Sequence, residues 1–106
     1  MIKIYTRKLL KSWQAGRCLG PIVIIDPAFK NKPIEAHEEI HYGQWKSHPL
    51  THFFKYKYCD EYRLKCEVEA YREQIKHGAV SYHCARYLSQ YYNLNISFTD
   101  AIKILK

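Results

Sequence analysis

The alternation of apolar and polar positions near the start of the chain predicts β-structure. Residues 2–6 alternate in the way that a half-buried strand does. Further along, four consecutive β-branched residues, Ile22–Ile25, lie between Pro21 and Pro27, which predicts a second short strand. Because proline cannot donate to a sheet ladder, the two prolines favour an edge position for this strand.

After these strands the pattern changes to helical spacing. Pro33 is predicted to stand at the start of a helix that runs to Ser47, and Pro49 ends it. Residues 52–77 contain neither proline nor glycine, and Thr51 is predicted to be the N-cap of a helix over this stretch. Two long helices therefore follow the predicted strands.

Apolar residues form one stripe along the second of these helices. They follow each other at steps of four, three and four, as one face of a helix requires: Leu64, Val68, Tyr71 and Ile75. Gly78 is predicted to be the glycine that ends this helix. Residues 80–92 predict another helix, and Ser97 is predicted to cap a short one that ends near Leu105.

Strands followed by helices indicate a small α+β domain, which we expect to span residues 1–106. The formal charge of +7 suits an anionic partner, although it is equally typical of a soluble basic protein. The four cysteines form no Cys-x-x-Cys pair, and no segment has the length and hydropathy of a signal peptide or a membrane span. These features predict a cytoplasmic protein with free thiols.

The first predicted helix carries the run His37-Glu38-Glu39-Ile40-His41, an H-E-x-x-H motif. Histidines four residues apart lie about 40° apart on one helical face, where both can bind a single zinc ion. Glu38 lies about 100° from His37, beside the metal, in the place of a general base. The alternative is a pair of buried histidines that are satisfied by hydrogen bonds alone. Because Ile34 and Trp45 share their face, we expect the histidines to point inward.

A catalytic zinc site takes three protein ligands and leaves one position open. Glu67 and Glu69 are the candidates for the third ligand, and only one can reach the metal because they point about 200° apart on a helix. Glu67 lies closer to the apolar stripe and is the better candidate, with Ala70 one turn on leaving room for helix packing. Either glutamate could instead pair with Lys65 or its basic neighbours in solvent.

This combination of motifs resembles the zincin metallopeptidases of the gluzincin kind. His37-Glu38-Glu39-Ile40-His41 with Gln44, followed by Glu67-Val68-Glu69-Ala70, is similar to very small H-E-x-x-H-x-x-Q proteins encoded by phages and bacteria. The resemblance covers about residues 19–77 and implies that an E-x-x-A helix supplies Glu67 as third ligand. It also implies a minimal zincin-like fold, in which a peptide substrate lies along the Ile22–Ile25 strand as an edge strand.

The resemblance implies a zinc metalloendopeptidase that hydrolyses peptide or protein substrates, with Glu38 taking a proton from a zinc-activated water. A phage-encoded protein of this kind would act in the host cytoplasm. Hydrolysis also needs a donor for the oxyanion, and Tyr71 and His83 are the foremost candidates, before Tyr82 and Arg72. The alternative function is a zincin-like domain without turnover that binds protein or nucleic acid.

Two other constellations are weaker. Lysines and aromatic residues interleave between residues 53 and 65, a mixture that can hold nucleic acid but is more typical of a helix with one apolar face. A structural zinc site could be assembled from three cysteines and a histidine, although their spacing matches no zinc-finger pattern: Cys59, Cys66, His83 and Cys84.

Overall fold

A three-stranded sheet is the first unit of the fold in a computed structural model, which describes all residues 1–106. The strands are β1 (Ile2–Tyr5), β2 (Gly16–Leu19) and β3 (Ile22–Ile25). Five helices follow: α1 (Pro33–Ser47), α2 (His52–Tyr58), α3 (Asp60–Lys76), α4 (Ser81–Gln90) and α5 (Phe98–Leu105). The predicted α+β class, with strands before helices, is confirmed.

The position of β3 corrects the prediction from its flanking prolines. The strand order is β1-β3-β2, so β3 lies in the centre, parallel to β1 and antiparallel to β2. Pro21 and Pro27 stand outside the four paired residues, and they therefore remove no hydrogen bond from the ladder. Val23, Ile24 and Ile25 are fully buried, as a central strand requires.

The edge strand beside the helices is β2, which the hydrophobic pattern did not predict. Its four residues pair with β3 in the register Gly16 to Ile25 and Leu19 to Ile22. Helix α1 packs against β2 and β3, so the strand edge runs alongside the H-E-x-x-H motif. A substrate strand along the sheet would therefore meet β2 and not β3.

The stretch 52–77 forms two helices instead of one, because the chain is extended at Cys59 (φ −116°, ψ 107°). The break is held by Arg63, whose buried guanidinium donates to the carbonyl oxygens of Tyr56 and Lys57 near the end of α2. The same side chain donates to the carbonyl oxygen of Tyr92, 29 residues away. Arg63 thereby fixes α2 against α3 and the segment after α4.

The C-terminal half packs around an apolar cluster, and the predicted stripe on α3 takes part in it. The buried members are Val68, Tyr71, Cys84, Ala85, Leu88, Ala101 and Leu105. Gly78 has φ 106° directly after the end of α3, which confirms it as the terminating glycine. The hydroxyl of Ser97 accepts from the backbone N–H of Asp100, which confirms the cap of α5.

Glu35 departs from the solvent-facing position that a first-turn glutamate normally has. Its carboxylate is buried, and Lys3 of β1 donates to it at 2.8 Å. The backbone N–H of Asn31 donates to its other oxygen at 3.0 Å. These bonds fix the beginning of α1 to the sheet. No helix has the length and apolar character needed to cross a membrane, and all four cysteines are free.

Candidate metal centre

Three side chains converge between α1 and α3. The Nε2 atoms of His37 and His41 lie 3.1 Å apart. Oε1 of Glu67 lies 3.3 Å from Nε2 of His37 and 3.2 Å from Nε2 of His41. All three residues are at least nine-tenths buried, and Glu67 is 1% exposed. They form the one group of three or more metal-binding side chains in the molecule.

Helix geometry places these atoms. The two histidines stand one turn apart on the face of α1 that is directed at α3. Glu67 lies on the buried side of α3, while Glu69, two residues on, is exposed. Ala70 has no exposed surface and lies one turn after Glu67, where a larger side chain would hold the two helices apart.

The spacing of the three atoms fits a zinc ion. Tetrahedral zinc bonds of about 2.0–2.1 Å require ligand atoms about 3.3 Å apart, close to the separations found here. Without a cation, two Nε2 atoms at 3.1 Å can be paired only if one donates and the other accepts. His37 adds to the requirement for a cation, because its Nδ1 is enclosed without a hydrogen-bond partner. Its Nε2 is therefore the only nitrogen that can offset its burial.

Gln44 orients His41. Its side-chain oxygen lies 2.8 Å from Nδ1 of His41, and its side-chain nitrogen donates to the carbonyl oxygen of Cys66 at 3.0 Å. The second bond fixes which end of the amide faces the histidine, so the Gln44 oxygen accepts from the N–H at Nδ1. In neutral His41 this leaves the lone pair on Nε2, the atom directed at the group.

Tyr56 of α2 orients the carboxylate. Its hydroxyl donates a hydrogen bond to Oε2 of Glu67. Oε1 lies within 3.3 Å of Nε2 of both histidines, and Oε2 is also 3.1 Å from Nε2 of His41. Partners of this kind, behind the ligands, are typical of protein metal sites, where they set ligand orientation. Tyr56 and Gln44 supply them for Glu67 and His41.

The electrostatics of the group also favour a cation. Burial acts to raise the pKa of Glu67, but the charge of His41 and hydrogen bonds from both histidines outweigh it and hold that pKa below its ordinary value. Burial acts to lower the pKa of His41, but the negative charge of Glu67 outweighs this and raises it to about 9. A buried carboxylate thus requires a positive partner, and a metal ion can replace the proton on His41.

Glu38 lies next to the group of His37, His41 and Glu67 but is not a member of it. Its Oε2 is 3.9 Å from Nε2 of His37. Burial raises the pKa of Glu38 above its ordinary value. The carboxylate packs against Gly16 of β2, where a Cβ atom would come within 2.8 Å of the Glu38 Cγ. Only glycine leaves room for Glu38 at this point of the edge strand.

A cleft of about 580 Å³ opens onto His37, His41, Glu67 and Glu38. Its floor carries the polar group, and its walls are mostly apolar or aromatic, which is typical of sites that bind organic ligands. Side chains from the β1–β2 loop, β2, α1, α2 and the segment after α4 form these walls: Trp13, Leu19, Trp45, Phe53 and Tyr92. Trp13 stacks on Tyr91 at 4.5 Å, which joins the loop to the helical half.

The two predicted oxyanion candidates lie in different places. Tyr71 reaches the cleft, but its hydroxyl bonds that of Tyr92 at 2.7 Å and its ring packs on His37. His83 is exposed on α4 and does not line the cleft. The alternative cysteine and histidine site does not assemble, since no second metal-binding group exists.

Sequence reasoning missed three residues that shape the site: Gly16, His52 and Tyr56. The lysines beside Tyr56 made its helix look like a solvated surface, and a glycine in a short strand gives no functional signal. Comparisons of the chain with protein-family models, curated proteins and solved structures found no match. The class that the geometry defines is therefore an α+β protein with a buried His-His-Glu group that can hold a metal ion.

Proposed function

We propose that this protein is a zinc-dependent metallopeptidase. The observation that carries the proposal is the arrangement of two Nε2 atoms and one carboxylate at 3.1–3.3 Å, with the Glu38 carboxylate beside them at the floor of a cleft. His37, His41 and Glu67 are the three protein ligands, and the open side of the group faces the cleft. Zinc supplies a Lewis acid that polarises a carbonyl and acidifies water.

The residues of the chain supply the remaining parts of hydrolysis. Glu38 takes the proton of the attacking water and delivers it to the leaving amine, as its place beside the ligands and its raised pKa favour. The edge of β2 offers backbone groups to an extended peptide, which can add to the sheet as a further strand. The apolar walls exclude water from bulky side chains of the substrate.

The test separates metal binding from turnover. Elemental analysis is expected to find one zinc per chain in the wild type and none in His41→Ala. The zinc-loaded wild type is expected to cleave an internally quenched peptide library with randomised central residues. Glu38→Gln is expected to keep the zinc and lose hydrolysis by about 10²–10⁴-fold, the usual contribution of a general base.

Two results would contradict the proposal at different levels. A wild-type protein that cannot be loaded with zinc contradicts the metal site itself. A zinc-loaded protein that cleaves no library peptide contradicts the peptidase and leaves the metal site standing. Glu39→Gln is the matched control, because Glu39 is exposed on the same helix and both its zinc content and its hydrolysis should equal those of the wild type.

A second candidate function rests on the outer face of α2. Phe54 and Tyr58 are 70% and 66% exposed there, and Lys57 lies over the Tyr58 ring at 5.3 Å. Exposed aromatic rings among lysines are typical of single-stranded nucleic-acid binding. Anisotropy of a labelled oligothymidine tests this function: affinity that falls steeply with salt and is lost in Phe54→Ala supports it.

A further inference from the structure

The sheet has one face that α1 leaves uncovered. Side chains alternate between the two faces of a strand, and residues in register on neighbouring strands share a face. Gly16 packs on Glu38 of α1 and Lys3 bonds Glu35 of α1, so these two residues mark the face that α1 covers. The opposite face is the outer face of the sheet, and it carries the remaining residues of this alternation: Ile2, Ile4, Arg17, Leu19, Ile22 and Ile24.

Aliphatic side chains are exposed on the outer face. Ile2, Ile4 and Leu19 are all exposed, Ile2 by 57%. Leu9 of the β1–β2 loop is 53% exposed, and its carbonyl oxygen lies 3.5 Å from the guanidinium of Arg17, which places the loop next to the outer face. Exposed apolar side chains that lie together and have polar neighbours are typical of a binding surface.

The charge around the outer face is positive and largely unopposed. No acidic residue occurs before Asp26, and Asp26 itself pairs with Arg7. Lys8, Lys11 and Arg17 are exposed and take part in no ion pair. The two lysines lie within two residues of the exposed loop leucine. The outer face therefore combines exposed aliphatic groups with three unpaired cations.

This combination distinguishes between the candidate occupants of the face. A second copy of the chain would bring the same cations against each other, and this repulsion opposes association. Single-stranded nucleic acid stacks its bases on aromatic rings, and the strands contribute no aromatic side chain to the outer face. An anionic bilayer matches both features, because its acyl boundary takes up aliphatic side chains and its headgroups attract lysine and arginine.

We propose that the outer face of the sheet binds the surface of an anionic phospholipid membrane. The side chains of Ile2 and Leu9 enter the boundary between headgroups and acyl chains, where their aliphatic surface leaves water. The three unpaired cations contact the lipid phosphates around them. The outer face is directed away from α1 and the metal group, so this binding does not depend on hydrolysis.

Cosedimentation with lipid vesicles tests the contribution of charge. The wild type is expected to bind vesicles of equal parts phosphatidylcholine and phosphatidylglycerol about 10²-fold more tightly than vesicles of phosphatidylcholine alone, since three cations each contribute about fivefold. Lys8→Gln and Lys11→Gln should each weaken binding to the anionic vesicles about fivefold. Lys103→Gln is the matched control, because Lys103 is exposed on α5, and its binding should equal that of the wild type.

The same measurement tests the contribution of the aliphatic side chains. Ile2→Thr keeps a β-branched residue in the strand and removes aliphatic surface, so binding to the anionic vesicles should weaken about three- to tenfold. Val80→Thr is the matched control, because Val80 is also 57% exposed but directly precedes α4. Leu9→Gln lies in the loop outside the strand ladder, and it should weaken binding by a similar factor even if Ile2→Thr lowers stability.

Three results would overturn the proposal. The first is equal binding to the two kinds of vesicle, or no binding to either. The second is vesicle binding that is lost in Phe54→Ala and unchanged in Ile2→Thr, because the contact then lies on α2. The third is a dimer in light scattering that dissociates in Ile2→Thr, because a second copy of the chain then occupies the face.

Discussion

The interiors on the two sides of α3 differ in kind. On one side, Val68 and Tyr71 pack with α4 and α5 in a cluster that is apolar apart from the tyrosine hydroxyl. On the other side, towards α1 and α2, charged and polar residues are buried as well, with Glu67 and Arg63 on α3 itself and His37 on α1. One face of α3 thus packs in the apolar cluster, and the other carries the Glu67 carboxylate of the group that can hold a metal ion.

The two interiors have opposite effects on stability. Each fully buried aliphatic side chain of the cluster contributes about 1.5–3 kcal/mol to folding. A buried carboxylate costs free energy unless it is paired and hydrogen-bonded. Glu67 has His41 and Tyr56 as partners, whereas Glu38 has only His37 at 3.9 Å. The helical cluster is therefore the main apolar source of stability, and the polar side holds the group that can bind a metal ion.

The largest effect is expected from Glu67→Ala, which removes one of the three proposed metal ligands. Structural zinc sites bind with about 10–16 kcal/mol, so we expect zinc affinity to fall by about 10³-fold. Competition with a chromophoric chelator measures it. Glu61→Ala is the matched control, since Glu61 is exposed on the same helix, whereas the Glu69 carboxylate accepts a hydrogen bond from Gln44. Equal zinc affinity in the two variants would contradict the assignment of the third ligand.

The next effect tests the apolar side. Leu88 has no exposed surface within the cluster, so Leu88→Ala is expected to lower the free energy of unfolding by about 2–5 kcal/mol. Zinc affinity of the folded protein should stay within about twofold, because distant sites act independently. Urea unfolding measures the first quantity. Leu50→Ala, at a residue 96% exposed, should change stability by less than about 0.5 kcal/mol.

Gly16→Ala is expected to lower kcat by an intermediate amount and to leave zinc binding unchanged. The new Cβ would lie 2.8 Å from Cγ of Glu38 and must displace the carboxylate, and a shift of about 1 Å can cost about 10²-fold in rate. Zinc content should not change, because the three atoms nearest to the added Cβ all belong to Glu38 and none to a histidine. Gly43→Ala is the control, because the added methyl meets nothing within 4 Å. An alanine in the helix should raise the free energy of unfolding by about 0.5–1 kcal/mol. Wild-type kcat in Gly16→Ala would contradict the role of Glu38.

Local signals account for what could be predicted from the sequence. The helix with the H-E-x-x-H motif, the apolar stripe on α3, Gly78 and Ser97 depend on residues within a few positions of each other. The preference for Glu67 over Glu69 followed from its angle to the stripe, and the structure brings Glu67 to the histidines. The helical period carried the information for the motif, the stripe and Glu67, and the cap residues carried it for the helix ends.

Long-range contacts account for what could not be predicted. The central place of β3 depends on its pairing with both β1 and β2, and four-residue strands carry no record of their partners. The break at Cys59 depends on Arg63, whose guanidinium also holds a carbonyl 29 residues away. His52 and Tyr56 lie on the short helix before that break, and both line the cleft. Their part in the site therefore became visible only with the tertiary structure.

Gln44→Leu is expected to have the smallest effect and gives the finest test of the comparison. Losing the acceptor at Nδ1 frees the His41 tautomer and should weaken zinc binding by about 10–100-fold, the usual cost of an outer partner. Gln44→Glu keeps an acceptor and should retain more affinity, while the exposed control Gln90→Leu should equal the wild type. Gln44 also joins α1 to α3 at Cys66, so a merely structural role would lower the unfolding free energy and leave zinc affinity unchanged. Chelator competition and urea unfolding on the same samples distinguish the two roles.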